Sequence, residues 1–247
     1  KAAEAGKHIF TEKVMALTVA NCKEIEKAVR EAGVKFCISF PHRTRPDILF
    51  AKEAVEEGLL GDITSLRIRN AHNGSIADWL PPHFYEPEEC GGGAMMDLGA
   101  HGMYLARWFL GEPKKITSIF NNVTDRKVED NATSVIEFEN NAIAINETGF
   151  LSNNDPFSFE LNGTKGSLLI GGPENTVKIN STQTNSEISG WVTPSSLPEP
   201  LPHPLEQWIG GILVNEKIHY GLKEGIQLTE LMEAAYQSYE KGETVEF

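Results

Sequence analysis

The order in which hydrophobic periodicity changes along the chain constrains its fold most. Residues 8–12 (His-Ile-Phe-Thr-Glu) and 34–40 read as β-type runs. Between them, 18–32 carries Val19, Cys22, Ile25, Ala28 and Val29 at helical spacing, with charges between and Gly33 as the stop. Residues 1–40 therefore read helix–strand–helix–strand, the rhythm of a parallel α/β sheet. Pro46 opens a further helix through Ala51, Ala54 and Val55 to Gly58, and 63–71 reads as a strand with imperfect alternation. Beyond Gly111 the rhythm changes. Strand-like segments follow one another near 115–123, 132–138, 142–150, 157–161 and 167–170. Turn signals such as Glu139-Asn140-Asn141, Asn162-Gly163 and Gly171-Gly172-Pro173 separate them. Strands in succession without helices predict a large, mostly antiparallel open sheet. Residues 180–204, rich in Ser, Thr, Asn and Pro, read as an irregular excursion, and 225–239 as a closing amphipathic helix on Leu228, Leu231, Met232 and Ala235. The fold class expected is α/β plus α+β, with no internal repeat.

Residues 1–7 read as the tail of a helix stopped by Gly6, with no initiator Met and no N-cap before it. The expectation is that the chain is the downstream part of something longer. Its 247 residues are enough for a sizeable core. A formal net charge of −13 argues against nucleic acid and against an anionic membrane surface, both of which recruit Lys and Arg. No apolar run approaches the length of a membrane span, and no signal peptide is visible. Cys22, Cys37 and Cys90 are few, odd in number and widely spaced, which suits free thiols in a reducing cytoplasm.

One stretch carries chemistry. Gly91-Gly92-Gly93 runs straight into a helical pattern holding Asp97 and His101 four residues apart, a spacing that puts both on one α-helix face. Glycines there let the backbone come close to a ligand or a neighbouring strand. A carboxylate and an imidazole on a rigid element suit acid–base chemistry; a surface or structural pair is the plainer alternative. Metal ligation is not expected, because neither HExxH nor CxxC is present.

Several motifs in order resemble the glucose–fructose oxidoreductase and inositol dehydrogenase (Gfo/Idh/MocA) family. The segment from Gly6 to Thr18, with Glu12-Lys13-Val14, is similar to its Glu-Lys-Pro segment. Phe40-Pro41-His42-Arg43-Thr44-Arg45-Pro46 resembles its strand-to-linker Arg motif. Gly91 to Gly111, with Asp97, Gly99, His101, Arg107 and Trp108, resembles its active-site helix. Glu160-Leu161-Asn162-Gly163-Thr164-Lys165-Gly166 resembles its sheet signature, and Ala234-Ala235-Tyr236 through Gly242 its C-terminal helix. The likeness covers nearly the whole chain and is weakest at 172–204.

What the resemblance implies is the C-terminal remnant of a Rossmann-type dinucleotide domain (1–42), then a substrate-binding and oligomerisation domain (43–247). The implied activity is an NAD(P)-dependent oxidoreductase acting on a sugar, cyclitol or related polyol. Lys13 becomes the lysine beside the nicotinamide, and Asp97 and His101 the substrate-facing pair. Glu12, Lys13, His42 and Arg43 become cofactor contacts, and Tyr85, Asp97, His101 and Tyr104 substrate contacts. His101 is the natural general base, Lys13 polarises the oxygen or shares the proton, and Asp97 positions a substrate hydroxyl or holds the imidazole tautomer. Which of Lys13 and His101 takes the proton stays open.

Plainer readings stand beside these. Glu12-Lys13 reads equally as a solvated charge pair, and Arg43 as a linker residue packed on an acidic neighbour. Trp79, His83, Phe84 and Tyr85 form a substrate wall or an oligomer contact; His72 and His203 are structural or surface histidines. Three departures from the family pattern matter. Val14 replaces the proline, removing a φ constraint and, next to Lys13, the residue type at which cis bonds ordinarily occur. Tyr104 stands where many members carry an acid. No G-x-G-x-x-G is present, so NAD and NADP cannot be told apart. Two other classes fit the same architecture: an NAD-using redox-neutral glycosidase, and a non-enzymatic dimerisation module. A homo-oligomer through the open sheet is expected in any of the three.

Overall fold

The computed structural model describes residues 1–154, 157–183 and 190–247. Residues 1–7 form a hydrogen-bonded turn, not a helix tail. Lys7 N donates to Ala2 O at 3.0 Å, and Gly6 takes the left-handed φ of 66° expected of a stop. Strand β1 (Ile9–Thr11) lies parallel to β2 (Phe36–Ile38), and helix α1 (Val19–Ala32) crosses between them. Thr18 caps α1 by accepting from Asn21 N at 3.2 Å, and Gly33 ends it at φ 64°. This is the α/β unit read from the sequence. A 3₁₀ turn (Pro41–Thr44) leads into α2 (Pro46–Glu56), where Pro46 occupies the first helical turn because its missing N–H costs nothing there.

The second sheet has eight strands. They are β3 (Ile63–Ala71), β4 (Pro113–Asn121), β5 (Asn131–Phe138), β6 (Ile143–Gly149), β7 (Ser158–Gly163), β8 (Gly166–Gly171), β9 (Thr176–Ser181) and β10 (Val245–Glu246). The spatial order is β10-β4-β5-β6-β3-β7-β8-β9, antiparallel throughout except for the parallel pair β3 and β6 at its centre. Alternation along β5 shows how the sequence sets the faces: Ala132, Ser134, Ile136 and Phe138 are buried, and Asn131 and Val135 point out. Helices α4 (Ala100–Leu110) and α6 (Leu222–Lys241) are built from the same apolar cluster as the sheet. That cluster also takes in Met15, Ile38 and Phe40 from the first unit, so the two sheets share a continuous core.

Strands β9 and β10 and helix α5 (Pro204–Leu213) were not legible in the sequence. Strand β10 has two residues, and β9 and α5 border the two ends of the irregular excursion. His203 caps α5, its N–H donating to Glu206 Oε2 at 2.8 Å while its Nδ1 accepts from Leu205 N at 3.4 Å. That gives His203 a structural role. The part of the excursion at 184–189 lies outside the described residues. Among the described residues, no helix is long and apolar enough to cross a membrane.

Candidate active site

The triple glycine acts first through close approach. Gly91 has φ +75° and ends the short helix α3 (Pro87–Cys90). A Cβ on Gly93 would lie 1.9 Å from the backbone oxygen of Glu129, and one on Gly92 2.0 Å from the Tyr236 hydroxyl. The neighbour that the glycines admit is thus protein, the segment entering β5 and a side chain of α6. Glu129 Oε1 then receives Gly93 N at 2.9 Å, Met95 N at 3.0 Å and the Tyr236 hydroxyl at 2.7 Å. A buried carboxylate satisfies the orphan N–H groups of the helix start and complements its dipole. Glu129 had no signature in the sequence, where it sits in a charged stretch that reads as solvated.

The helix does not begin as an α-helix. Met95–Gly99 is a single π turn that passes into α4. Side chains of β6 serve carbonyls around this turn: Asn146 Nδ2 donates to Gly99 O at 2.8 Å and the Thr148 hydroxyl to Ala94 O at 3.2 Å. Such turns are frequent at functional sites. Asp97 lies on the π turn and His101 beyond it, and the two make no hydrogen bond with each other.

Asp97 is instead joined to Lys13, which leaves the end of β1. Lys13 Nζ donates to Asp97 Oδ1 and to Asp97 O, both at 2.6 Å. The two side chains are 12% and 27% exposed, so the ammonium is nearly enclosed while its partner still meets solvent. The Lys13–Val14 peptide is cis although no proline follows the lysine. Lys13 and Asp97 share a cavity of about 350 Å³ with Glu12, His83, Phe84 and Met96. That volume falls within the roughly 300–1,000 Å³ typical of small-molecule sites.

His101 is not among the residues that form the wall of this cavity, but its ring is only half-buried and lies close enough to feel the Lys13 charge. Its ring stacks on His42 with centroids 4.4 Å apart and planes 15° apart, and its Nδ1 lies 2.9 Å from the Tyr104 hydroxyl. Tyr104 is buried, stacked on Phe40 at 4.2 Å, and accepts from His42 N at 3.1 Å. It therefore stands behind His101, with its hydroxyl engaged by protein groups. Asp97 makes no hydrogen bond to the imidazole; its Oδ1 receives Lys13. Burial first, then the charges of His42 and Lys13, push His101 well below the usual histidine range. Burial, helped by Arg45 and Lys13 and opposed by Asp47, takes His42 down to about 4.

A pH effect follows from the His42 shift. The unfolded chain takes up a proton near pH 6.5 that the folded chain resists until about pH 4. Stability is therefore fully present above 6.5 and falls as pH drops through that window, by about 3 kcal/mol once complete. Melting midpoints of wild type and His42→Asn, measured from pH 7 to 4, should show the shallower slope in the variant. Equal slopes would count against this assignment.

The remaining candidates separate. Glu12 is exposed at the cavity rim. Tyr85 is 6% exposed and sits in a small cluster with Leu80, Ala94, Val128 and Phe150. Its hydroxyl donates to Gly74 O at 3.3 Å and its ring carries the Arg126 guanidinium at 4.2 Å. From that 3₁₀ turn (Pro82–Tyr85) it is His83 and Phe84 that line the cavity, while Tyr85 packs into the small cluster. The Arg43 guanidinium lies 4.2 Å over Trp108 and 4.9 Å from Tyr220, in a separate cavity bounded by α4 and α6. It is not on the wall of the Lys13 cavity; the acidic group beside it is Glu224, which lines the same separate cavity. His72 is stacked on Phe150 at 4.9 Å, a structural placement.

The family model described as the GFO/IDH/MocA C-terminal domain matches residues 48–169, spanning α2 to β8 and including the Asp97 helix. The chain belongs to the Gfo/Idh/MocA family. Among Gfo/Idh/MocA relatives, levoglucosan dehydrogenase of Pseudarthrobacter phenanthrenivorans is 27% identical over 68% of this chain and 50% of its own length. A 1,5-anhydro-D-fructose reductase of Ensifer adhaerens is 30% identical over 68% of this chain and 51% of its own. The chain thus spans about half the length of these curated relatives. A solved levoglucosan dehydrogenase in complex with NADH and levoglucosan superposes with a TM-score of 0.88 at 22% identity, covering 99% of this chain and 74% of that one. At that identity the likeness is one of Gfo/Idh/MocA fold.

Proposed function

We propose that this chain carries the substrate side of an NAD(P)-dependent dehydrogenase that oxidises a hydroxyl of a sugar, cyclitol or related polyol, or reduces the matching carbonyl. The observation that carries this reading is the Lys13 ammonium held 2.6 Å from Asp97 on the wall of a small-molecule cavity. An amine pinned between a carboxylate and a backbone carbonyl is positioned to give a proton to a substrate oxygen or to take one back. Asp97, still partly exposed, has acceptor capacity left for a neighbouring hydroxyl. Phe84 and Met96 offer apolar surface beside the amine, which fits the nicotinamide end of a dinucleotide. Bound there, the nicotinamide supplies or takes the hydride. No G-x-G-x-x-G is present, so no residue of this chain is assigned to the pyrophosphate, and the choice between NAD and NADP is not made. The residues at 1–42 belong, in this reading, to the dinucleotide unit and those at 43–247 to the substrate unit.

The bare face of the large sheet supports self-association. Ile119, Val135 and Ile143 are exposed on adjacent strands β4, β5 and β6. Two copies pairing these faces would cover them.

The test is a panel of sugars, anhydrosugars and inositols with NAD⁺ or NADP⁺, followed by reduced-nicotinamide absorbance, with NADH and NADPH titrated by fluorescence in parallel. Turnover of a polyol dependent on Lys13 is the expected result. A dimer that binds neither nucleotide and turns over nothing would overturn the enzyme reading in favour of a dimerisation module.

A further inference from the structure

We propose that Tyr104 holds His101 as the neutral Nε2–H tautomer, so that the imidazole meets a substrate oxygen as a hydrogen-bond donor and leaves proton transfer to Lys13. What the donor does rests on the dehydrogenase reading; the tautomer does not.

The protons around one oxygen decide it. Tyr104 Oη already accepts from the backbone N–H of His42 at 3.1 Å and lies 2.9 Å from His101 Nδ1. A phenol has one proton to give. If Nδ1 carried a hydrogen, both neighbours would donate to the oxygen. The phenol proton would then have no acceptor among the described residues, in a side chain only 3% exposed. If the phenol donates to Nδ1, the phenol proton, Nδ1 and the His42 N–H are all satisfied, as buried polar groups generally are in native structures. Burial raises Tyr104 above the usual phenol range and keeps it protonated, and it keeps His101 unprotonated. Stacking on Phe40 and on His42 holds both rings in the plane this bond requires.

The consequence is a choice of chemistry at the other nitrogen. With Nδ1 accepting, Nε2 carries the hydrogen of the neutral ring. A carboxylate at position 104 would do the reverse: it would accept from Nδ1–H and leave Nε2 bare as a base. Were an alcohol oxidised here, a nicotinamide held beside Phe84 and Met96 would supply the hydride acceptor. The O–H proton would pass to the Lys13 amine. A substrate oxygen that reaches the half-exposed His101 ring would meet Nε2–H as a donor that keeps its own proton and stabilises charge developing there.

The experiment is a two-bond ¹H–¹⁵N correlation spectrum of the ¹⁵N-labelled chain at neutral pH, with His101→Gln used to assign the ring. The expected pattern is a pyrrole-type Nε2 and a pyridine-type Nδ1. The reverse pattern, or two pyrrole-type nitrogens, would overturn the proposal. Tyr104→Phe keeps the stack on Phe40 and should convert the single tautomer into a mixture; an unchanged pattern would also overturn it. Where a polyol is oxidised, the same variant should lower kcat about tenfold with KM nearly unchanged, the mark of an interaction strengthened in the transition state. The Nε2–H pattern in a chain that oxidises no polyol would uphold the role of Tyr104 while removing the dehydrogenase reading.

Discussion

On the proposed dehydrogenase reading, Lys13→Met is expected to lower polyol turnover by roughly 10²–10⁴-fold, the range for loss of a positioned proton donor or acceptor. Methionine keeps an unbranched stem of similar length in the nearly enclosed channel, so packing around β1 is retained. The Asp97 carboxylate is 27% exposed and can be rehydrated when its partner is removed. Stability should therefore change far less than rate. Asp97→Asn removes the charge but leaves the backbone oxygen that also receives Lys13 Nζ at 2.6 Å. Its effect should be smaller and should appear in KM as well as kcat, because Asn holds the amine less firmly and accepts a substrate hydroxyl less strongly. Steady-state kinetics of both variants, beside their thermal midpoints, make the check. Undiminished turnover in folded Lys13→Met would remove Lys13 from the chemistry.

Most of the architecture was legible because it rests on periodicity that packing enforces. The alternating segments 132–138 and 142–150 could bury their apolar residues only as strands, and Thr18 and Gly33 bracket a helix that the coordinates place at Val19–Ala32. The misses have particular causes. Asp97 and His101 are spaced for one α-helical face, and a π turn cannot be read from Met95-Met96-Asp97-Leu98-Gly99, since what supports it are Asn146 and Thr148 on a distant strand. Tyr85 was grouped with His83 and Phe84 because composition does not tell which residues of a four-residue turn face inward. Tyr104 reads only as a departure from the acid that the family resemblance leads one to expect, and its contact with His101 is a property of the fold. Lys13 and Asp97 are 84 positions apart, and their meeting is a property of the fold. The family resemblance pointed to the pair; periodicity and spacing could not.

Gly93→Ala should be the most destabilising small substitution near the site, by about 3 kcal/mol or more, the upper end of overpacking costs. The added Cβ would stand 1.9 Å from Glu129 O and 2.9 Å from both Glu129 C and Val128 Cγ2. Relief requires moving backbone, and that backbone is tied down twice: Glu129 O accepts from Ala94 N at 2.9 Å and Glu129 Oε1 accepts from Gly93 N at 2.9 Å. At Gly92 the clash is with the Tyr236 hydroxyl at 2.0 Å, a side-chain tip, so Gly92→Ala should cost less even though that hydroxyl is bonded to Glu129. Gly172→Ala isolates the backbone cost alone, because φ is +67° and nothing lies within 4 Å; about 1 kcal/mol is expected there. Urea unfolding of the three variants should rank Gly93 above Gly92 above Gly172, and a Gly93→Ala midpoint equal to that of Gly172→Ala would defeat the steric account. The same displacement has a functional reading. Any shift of the helix start is passed through the π turn to Asp97, whose carboxylate must stay within hydrogen-bond reach of Lys13. Gly93→Ala protein that still folds at low temperature should accordingly lose turnover while its sheet remains intact, because the glycine sets where the carboxylate is aimed.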